Sequence, residues 1–146
     1  MILVSACLAG EKCKYSGGDN LHPEIARLVK EGRAVMVCPE QLGGLPTPRC
    51  PSEIIAGRVI NTRDEDVSAN FEEGARKALA VCRQHHCTAA VLKGLSPSCG
   101  CHGIYDGTFS HKVVAGKGVF AQLLEKEGVA CMDENEYEEA HKHGLL

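Results

Sequence analysis

The stretch Met1-Ile2-Leu3-Val4-Ser5-Ala6-Cys7 decides the fold of this chain. Its apolar run Ile2-Leu3-Val4 is typical of a buried strand, and a glycine-rich loop from Gly10 to Asn20 follows it. A strand that is buried on both faces belongs to a parallel sheet covered by helices. The stretch therefore predicts an α/β fold, with Cys7 just beyond the carboxyl end of the first strand.

The same order of strand and cysteine occurs twice more along the chain. Cys38 follows the apolar run Ala34–Val37, and Cys99 lies in the loop after Ala89–Leu92. In an open parallel sheet, ligands bind in the crevice outside the carboxyl ends of the strands. We therefore expect the three thiols to meet at one edge of the sheet. Thiolates suit iron–sulfur clusters, zinc and copper(I), so this edge is a candidate metal site.

Helical and strand patterns alternate along the rest of the chain, which predicts a βαβ series with helices on both faces of the sheet. The expected fold class is α/β: a single three-layer, Rossmann-like domain over residues 1–146, with a mostly parallel sheet of about four strands. A small hairpin is predicted around Gly57, and the proline-rich stretch from Pro39 to Pro51 is predicted to be a loop. The predicted strands cover about residues 1–6, 34–38, 89–93 and 129–132, and the predicted helices begin near His22, Ser68, Gly118 and Asn135.

Size and charge exclude several classes of protein. A length of 146 residues fits one domain, and the formal net charge of −3 gives no strong nucleic-acid footprint. No apolar run approaches the roughly 18 residues of a membrane span. Met1–Val4 reads as a strand and lacks the basic segment of a secretory signal. We therefore expect a cytoplasmic protein that does not bind membranes, and the oligomeric state stays open.

Nine cysteines are many for such a chain. An odd number without a secretory signal argues against a disulfide framework, since the cytosol keeps thiols reduced. Free cysteine is often simply a small buried apolar residue. That interpretation is favoured for Cys82, Cys87 and Cys131, which fall on or beside predicted helices and strands.

Six short motifs occur in one order along the chain. They are Ser5-Ala6-Cys7-Leu8, Cys13-Lys14-Tyr15, Val37-Cys38-Pro39-Glu40, Leu42-Gly43-Gly44-Leu45-Pro46-Thr47-Pro48-Arg49, Ser96-Pro97-Ser98-Cys99-Gly100 and Ile104-Tyr105-Asp106-Gly107-Thr108-Phe109. Through them the chain resembles the bacterial family of domains of unknown function that includes the thiouracil desulfidases. The resemblance implies an oxygen-sensitive [4Fe–4S] cluster held by Cys7, Cys38 and Cys99, with the fourth iron open to a substrate sulfur. The implied reaction is the non-redox removal of sulfur from a small thiolated nucleobase.

The ligand set has alternatives. Cys13 lies in the same loop as Cys7 and is the main rival; its binding to the cluster would leave no iron open. Cys50 and Cys101 also lie within or beside the motif loops. A second metal site built from Cys99, Cys101 and His102 is a further alternative.

Two residues are candidates for the proton transfers that sulfur removal requires. Glu40 lies two residues beyond Cys38 and is the candidate general acid or base, and Ser96 is a candidate for orienting water or a ring atom of the substrate. The alternatives are a solvated loop carboxylate for Glu40 and an ordinary turn serine for Ser96.

Two other functions stay open at this point. Cys13 would complete a closed four-thiolate site in a cluster- or zinc-binding module without catalysis. Alternatively, Cys7 or Cys38 would act as a nucleophile with Glu40 in an enzyme without metal. The substrate is also open, because the family often has Leu-Lys-Ser-Arg where this chain has Leu92-Lys93-Gly94-Leu95.

Overall fold

The computed structural model describes residues 1–142 of the chain. Eight strands are formed: β1 (Ile2–Ser5), β2 (Ala34–Val37), β3 (Ser52–Ile55), β4 (Arg58–Asn61), β5 (Ala89–Leu92), β6 (Gly103–Tyr105), β7 (Val113–Ala115) and β8 (Ala130–Asp133). The helices are α1 (Pro23–Lys30), α2 (Pro39–Leu42), α3 (Ser68–Gln84), α4 (Val119–Lys126) and α5 (Glu134–Lys142), and a 3-10 turn covers Ala6–Ala9. Within this part of the chain no helix is both long and apolar enough to cross a membrane.

Four of the strands form one parallel sheet in the order β2-β1-β5-β8. Ile2 of β1 lies opposite Ala34 on one side and Ala89 on the other, and Leu92 of β5 lies opposite Asp133 of β8. All four strands therefore end at the same edge of the sheet. The predicted parallel α/β fold is confirmed.

Helices cover both faces of this sheet, which gives the three predicted layers. On one face, α3 and α4 pack against side chains such as Leu3 and Leu92, with Phe120 fully buried between them. On the other face, Ile25 of α1 and Tyr137 of α5 pack with the opposite side chains of the strands. The central strands are therefore apolar on both sides, and this double burial is what their unbroken apolar runs indicate.

Two glycines bring the short helix α2 against α3. A Cβ atom built on Gly43 would lie 2.0 Å from the Asn70 carbonyl oxygen, and one on Gly74 would lie 1.8 Å from the Pro39 carbonyl oxygen. No real side chain tolerates such distances, so the two backbones meet only because both residues lack a side chain. This contact fixes the segment that follows Cys38 at the edge of the sheet.

The structure corrects several local predictions. The stretch from Pro39 was predicted as a loop but begins with α2, because a proline suits the first turn of a helix. Serine favours the position just before a helix, so the sequence predicts Ser68 as the cap of α3. In the structure Ser68 is instead the first helical residue, and its hydroxyl accepts a hydrogen bond from the Val59 amide. Likewise, Asn135 lies inside α5 and does not precede it.

Two antiparallel hairpins accompany the sheet. The hairpin β3–β4, with Gly57 in its turn, was predicted. The hairpin β6–β7 was not among the predicted elements, because its strands are three residues long and exposed or half-buried, and so lack an apolar pattern. That residues 1–146 form a single domain stays a prediction, since residues 143–146 lie outside the described part.

Candidate active site

A cleft with a volume of about 170 Å³ opens at the carboxyl edge of the sheet. The loops after β1, β2 and β5 all contribute to its walls, as the strand order requires. Its lining includes the three predicted cluster ligands, the two predicted catalytic residues and the main alternative ligand. These are Cys7, Cys38, Cys99, Glu40, Ser96 and the alternative ligand Cys13.

Cys13 lies between two of the other thiols. Its sulfur is within hydrogen-bonding reach of both Cys7 and Cys38, and the Cys38 thiol lies 3.8 Å from the Cys13 carbonyl oxygen. Hydrogen bonding from the Cys13 thiol lowers the pKa of Cys7 and lowers the pKa of Cys38 to about 7. The pKa of Cys13 itself is raised, because its proton is shared between these two sulfur atoms. Both shifts favour the thiolate over the neutral thiol, and the thiolate is the form that binds metal.

The fourth thiol of the cleft has a different environment. Cys99 is almost completely buried, and burial raises its pKa, although a hydrogen bond with Ser5 acts in the opposite direction. The charges of Cys7 and Cys38 raise the pKa of Cys99 further. A metal bound in the cleft would supply the positive charge that favours ionisation of this thiol.

Arg49 holds Glu40 in place at the mouth of the cleft. The Arg49 Nε donates to Glu40 Oε1 at 2.9 Å, and one of its terminal nitrogens donates to the Cys13 carbonyl oxygen at 2.8 Å. The other terminal nitrogen donates to Thr47 Oγ1 at 2.9 Å and to the Pro46 carbonyl oxygen at 3.2 Å. Only 6 % of the Arg49 side chain is exposed, so this ion pair is well shielded from water.

Ser96 is tied to the backbone of its own loop. Its hydroxyl oxygen accepts hydrogen bonds from the amides of Ser98 at 3.1 Å and of Cys99 at 3.0 Å. The same residue lines the cleft. Ser96 therefore fixes the turn that carries Cys99, while its hydroxyl proton is available for a hydrogen bond into the cleft.

Lys93 adds a positive charge to the wall of the cleft. Its ammonium group lies 3.0 Å from Glu134 Oε2 and donates to the Gly94 carbonyl oxygen at 2.9 Å. Its backbone amide donates to the hydroxyl oxygen of Ser5, the residue that hydrogen-bonds with Cys99. The charge of Lys93 also acts on Cys7, where it lowers the pKa.

The sequence did not indicate the roles of Arg49 and Asn20. Arg49 ends the motif that begins at Leu42, and this was the only signal that pointed to it. Asn20 ends the loop after β1, and its side chain makes a hydrogen bond to the Cys7 thiol that helps to lower its pKa. Cys50 and Cys101, by contrast, are not among the residues that line the cleft in the described chain.

The thiols assigned to the core lie where the sequence placed them. Cys82 and Cys87 are buried in the layer formed by α3, and Cys131 packs at the margin of that layer. None of the three lines the cleft, and all three contribute to packing.

Fold and site together define an α/β protein with a cleft at the carboxyl edge of a parallel sheet. Four cysteines line this cleft, and their sulfur atoms suit an iron–sulfur cluster or zinc. Comparison with known proteins then gives the family. A sequence model of the 2-thiouracil desulfurase family matches residues 2–136, and the chain belongs to that family.

Two relatives agree with this assignment. The protein YbbK of Bacillus subtilis (strain 168) is 45% identical over 146 residues, a match that covers 93% of this chain and 97% of the relative. The solved structure of the [4Fe–4S]-dependent thiouracil desulfidase TudS is 39% identical and superposes with a TM-score of 0.90, covering 99% of this chain and 98% of that chain. The resemblance stated from the motifs is confirmed.

Proposed function

We propose that this chain is a [4Fe–4S]-dependent desulfidase that removes sulfur from a thiolated nucleobase such as thiouracil, or from a similar small thioamide. The observation that carries the proposal is the meeting of Cys7, Cys38 and Cys99, from three separate loops, in one cleft with Glu40. The similarity to a [4Fe–4S]-dependent thiouracil desulfidase along nearly the whole chain supports it.

The cysteines of the cleft fit a cluster that has three protein ligands. We assign Cys7, Cys38 and Cys99 as these ligands, because each follows its own strand and the three surround the cleft from different loops. Cys13 is the alternative ligand, since its sulfur lies beside those of Cys7 and Cys38. A cluster bound by three thiolates supplies one iron without a protein ligand, a Lewis acid to which the substrate's soft sulfur can bind.

The reaction itself is a hydrolysis without change of oxidation state. Water forms a bond to the thiocarbonyl carbon, the carbon–sulfur bond breaks, and the products are a carbonyl group and sulfide. Glu40 accepts the proton that the attacking water loses, and Arg49 fixes the direction of that carboxylate through the 2.9 Å hydrogen bond to Oε1. The Ser96 hydroxyl donates to the water or to the substrate ring.

The dimensions of the cleft favour a small substrate. The cluster and the substrate would share a cleft of about 170 Å³, which by itself is smaller than the roughly 300–1,000 Å³ that is typical for drug-sized ligands. A single heterocyclic ring is therefore a better match than a nucleotide or a polynucleotide. Gly94 and Leu95 line the same cleft and lie where the family often has serine and arginine, so they are the positions at which substrate preference would differ from that of relatives.

The test is purification and cluster reconstitution without oxygen, followed by an assay of sulfide release from thiouracil. We expect a brown protein with about four irons per chain that releases sulfide and forms the oxygenated base. Tightly bound zinc in place of iron would instead favour a non-catalytic module closed by Cys13. Protein that holds no metal yet still turns over thiouracil would favour Cys7 or Cys38 as a nucleophile. A fully loaded cluster that releases no sulfide from any thiolated base would overturn the proposed activity.

A further inference from the structure

A second group of metal-binding side chains lies outside the cleft. Cys101, His102 and Glu136 each offer one ligand atom, and these atoms all lie within 4.8 Å of one another. Cys101 is 3% exposed, whereas His102 and Glu136 lie at the surface. The group therefore has a buried sulfur at its base and an imidazole and a carboxylate toward solvent.

Two distant parts of the chain build this group. Cys101 and His102 end the loop that follows β5, directly before β6, and Glu136 lies in the first turn of α5. The sequence had suggested a second site from Cys99, Cys101 and His102. In the structure Cys99 lines the cleft and is not part of this group, and Glu136 is the third member instead.

The carboxylate of Glu136 is held in a fixed position. Its amide donates to Asp133 Oδ1 at 2.8 Å, and the Asp133 amide donates in return to Glu136 Oε1 at 3.0 Å. His102 Nε2 also contacts Glu136 Oε1. The reciprocal bonds form a capping box at the start of α5, so the carboxylate is oriented toward the imidazole before any ion arrives.

We propose that Cys101, His102 and Glu136 bind a zinc ion, with water in the fourth position. One sulfur, one nitrogen and one oxygen ligand form a donor set typical of zinc, and the thiolate disfavours the hard ions Mg²⁺ and Ca²⁺. Bonds of about 2.0–2.3 Å place tetrahedral ligands roughly 3.3–3.8 Å apart. Small side-chain adjustments within the observed 4.8 Å reach that geometry. The charges of the thiolate and the carboxylate balance the two charges of the ion.

The ion would join the loop after β5 to the start of α5. Cys101 lies two residues beyond Cys99, so a zinc ion bound there would restrain the loop that carries a proposed ligand of the cluster. The two sites remain chemically separate: the cleft uses thiolates from three loops, whereas this site uses one thiolate with a nitrogen and an oxygen. The presence of the zinc does not depend on desulfidase activity.

The experiment adds Zn²⁺ alone to the protein, removes loosely bound ion by gel filtration, and measures metal content by mass spectrometry. Zinc also binds free cleft thiols, so the informative quantity is the difference between the parent and His102→Ala, with Glu136→Gln as a second variant. Both substitutions change exposed side chains and leave the core intact. The matched control is His85→Ala, an exposed histidine at the end of α3.

We expect the parent and His85→Ala to retain one equivalent of zinc more than His102→Ala and Glu136→Gln, with the iron content equal in all four. Co²⁺ in place of Zn²⁺ should give a thiolate-to-cobalt absorption band that is weaker in the two variants by one site. A parent whose zinc content and cobalt spectrum equal those of His102→Ala overturns the proposal. The same holds if zinc is lost equally in His85→Ala.

Discussion

The thiols of the cleft and the thiols of the core show how one residue type takes two roles. Cys38 in the cleft has its pKa lowered to about 7, mainly by hydrogen bonding from Cys13. Cys82 in the core has its pKa raised, because burial disfavours the thiolate. Burial raises the pKa of both thiols, so burial alone does not distinguish them. The hydrogen bond from Cys13 to the Cys38 sulfur distinguishes them.

Removing one thiol from each region should give the largest difference. Cys38→Ala should lose the bound iron and all turnover, because a three-ligand cluster has no spare protein ligand. Cys82→Ala should retain both, since Cys82 only fills space in the core. Iron and sulfide analysis after reconstitution without oxygen, with both variants side by side, measures this. Equal iron contents in the two variants would contradict the assignment of Cys38.

The same comparison identifies the third ligand. Cys99→Ala should lose the iron, and Cys13→Ala should retain it. Iron that is retained in Cys99→Ala but lost in Cys13→Ala would show that Cys13 is the ligand.

Glu40→Gln should have the next largest effect, on rate alone. Loss of a general acid–base group typically costs about 10²–10⁴-fold in rate. The glutamine keeps the shape of the side chain and can still contact Arg49, so the iron content and visible absorption should not change. The measurement is kcat for sulfide release from thiouracil at equal cluster loading. A variant that turns over as fast as the parent would make Glu40 a loop carboxylate with no part in the reaction.

In the metal-free protein the two regions should also differ in reactivity toward iodoacetamide. The thiolate is the nucleophile, so alkylation of Cys38 should rise about tenfold between about pH 6 and pH 8 and then level off. The sign follows from its pKa, which is lowered from 9.0 to about 7: the reactive form is lost as the pH falls through 7. Cys82, buried and with a raised pKa, should stay unlabelled over this range. Peptide mass spectrometry quantifies both sites, and a Cys38 profile still rising steeply above pH 8 would contradict the lowered pKa.

Much of this contrast was predictable from the sequence, because it depends on strand order. Apolar runs before Cys7, Cys38 and Cys99 indicated the parallel strands, and parallel strands deliver the residues that follow them to one edge. The buried face of α3, which includes Cys82, followed from helical periodicity in the same way.

The contacts between loops were not predictable. Nothing in local sequence places Cys13 between two other thiols or aims Arg49 at both Glu40 and the Cys13 carbonyl oxygen. Such contacts depend on how two loops fold back over the sheet, and no periodic pattern encodes that. The second metal-binding group is a further example, since His102 and Glu136 are 34 residues apart in sequence.

The smallest expected effect is on thermal stability, when the core thiol Cys82 is removed. Cys82 is 2% exposed and packs among side chains of α3 and α4, so Cys82→Ala leaves a cavity about the size of its sulfur. A cavity of that size costs about 1 kcal/mol, which for a chain of this length lowers Tm by roughly 2–4 °C. Calorimetry of the metal-free protein measures the loss without interference from the cluster. Cys38→Ala under the same conditions should shift Tm less, because the Cys38 side chain faces the open cleft and leaves no enclosed void. A larger loss of stability in Cys38→Ala than in Cys82→Ala would mean that the cleft thiol also holds the metal-free fold together, and the separation between binding thiols and packing thiols would fail.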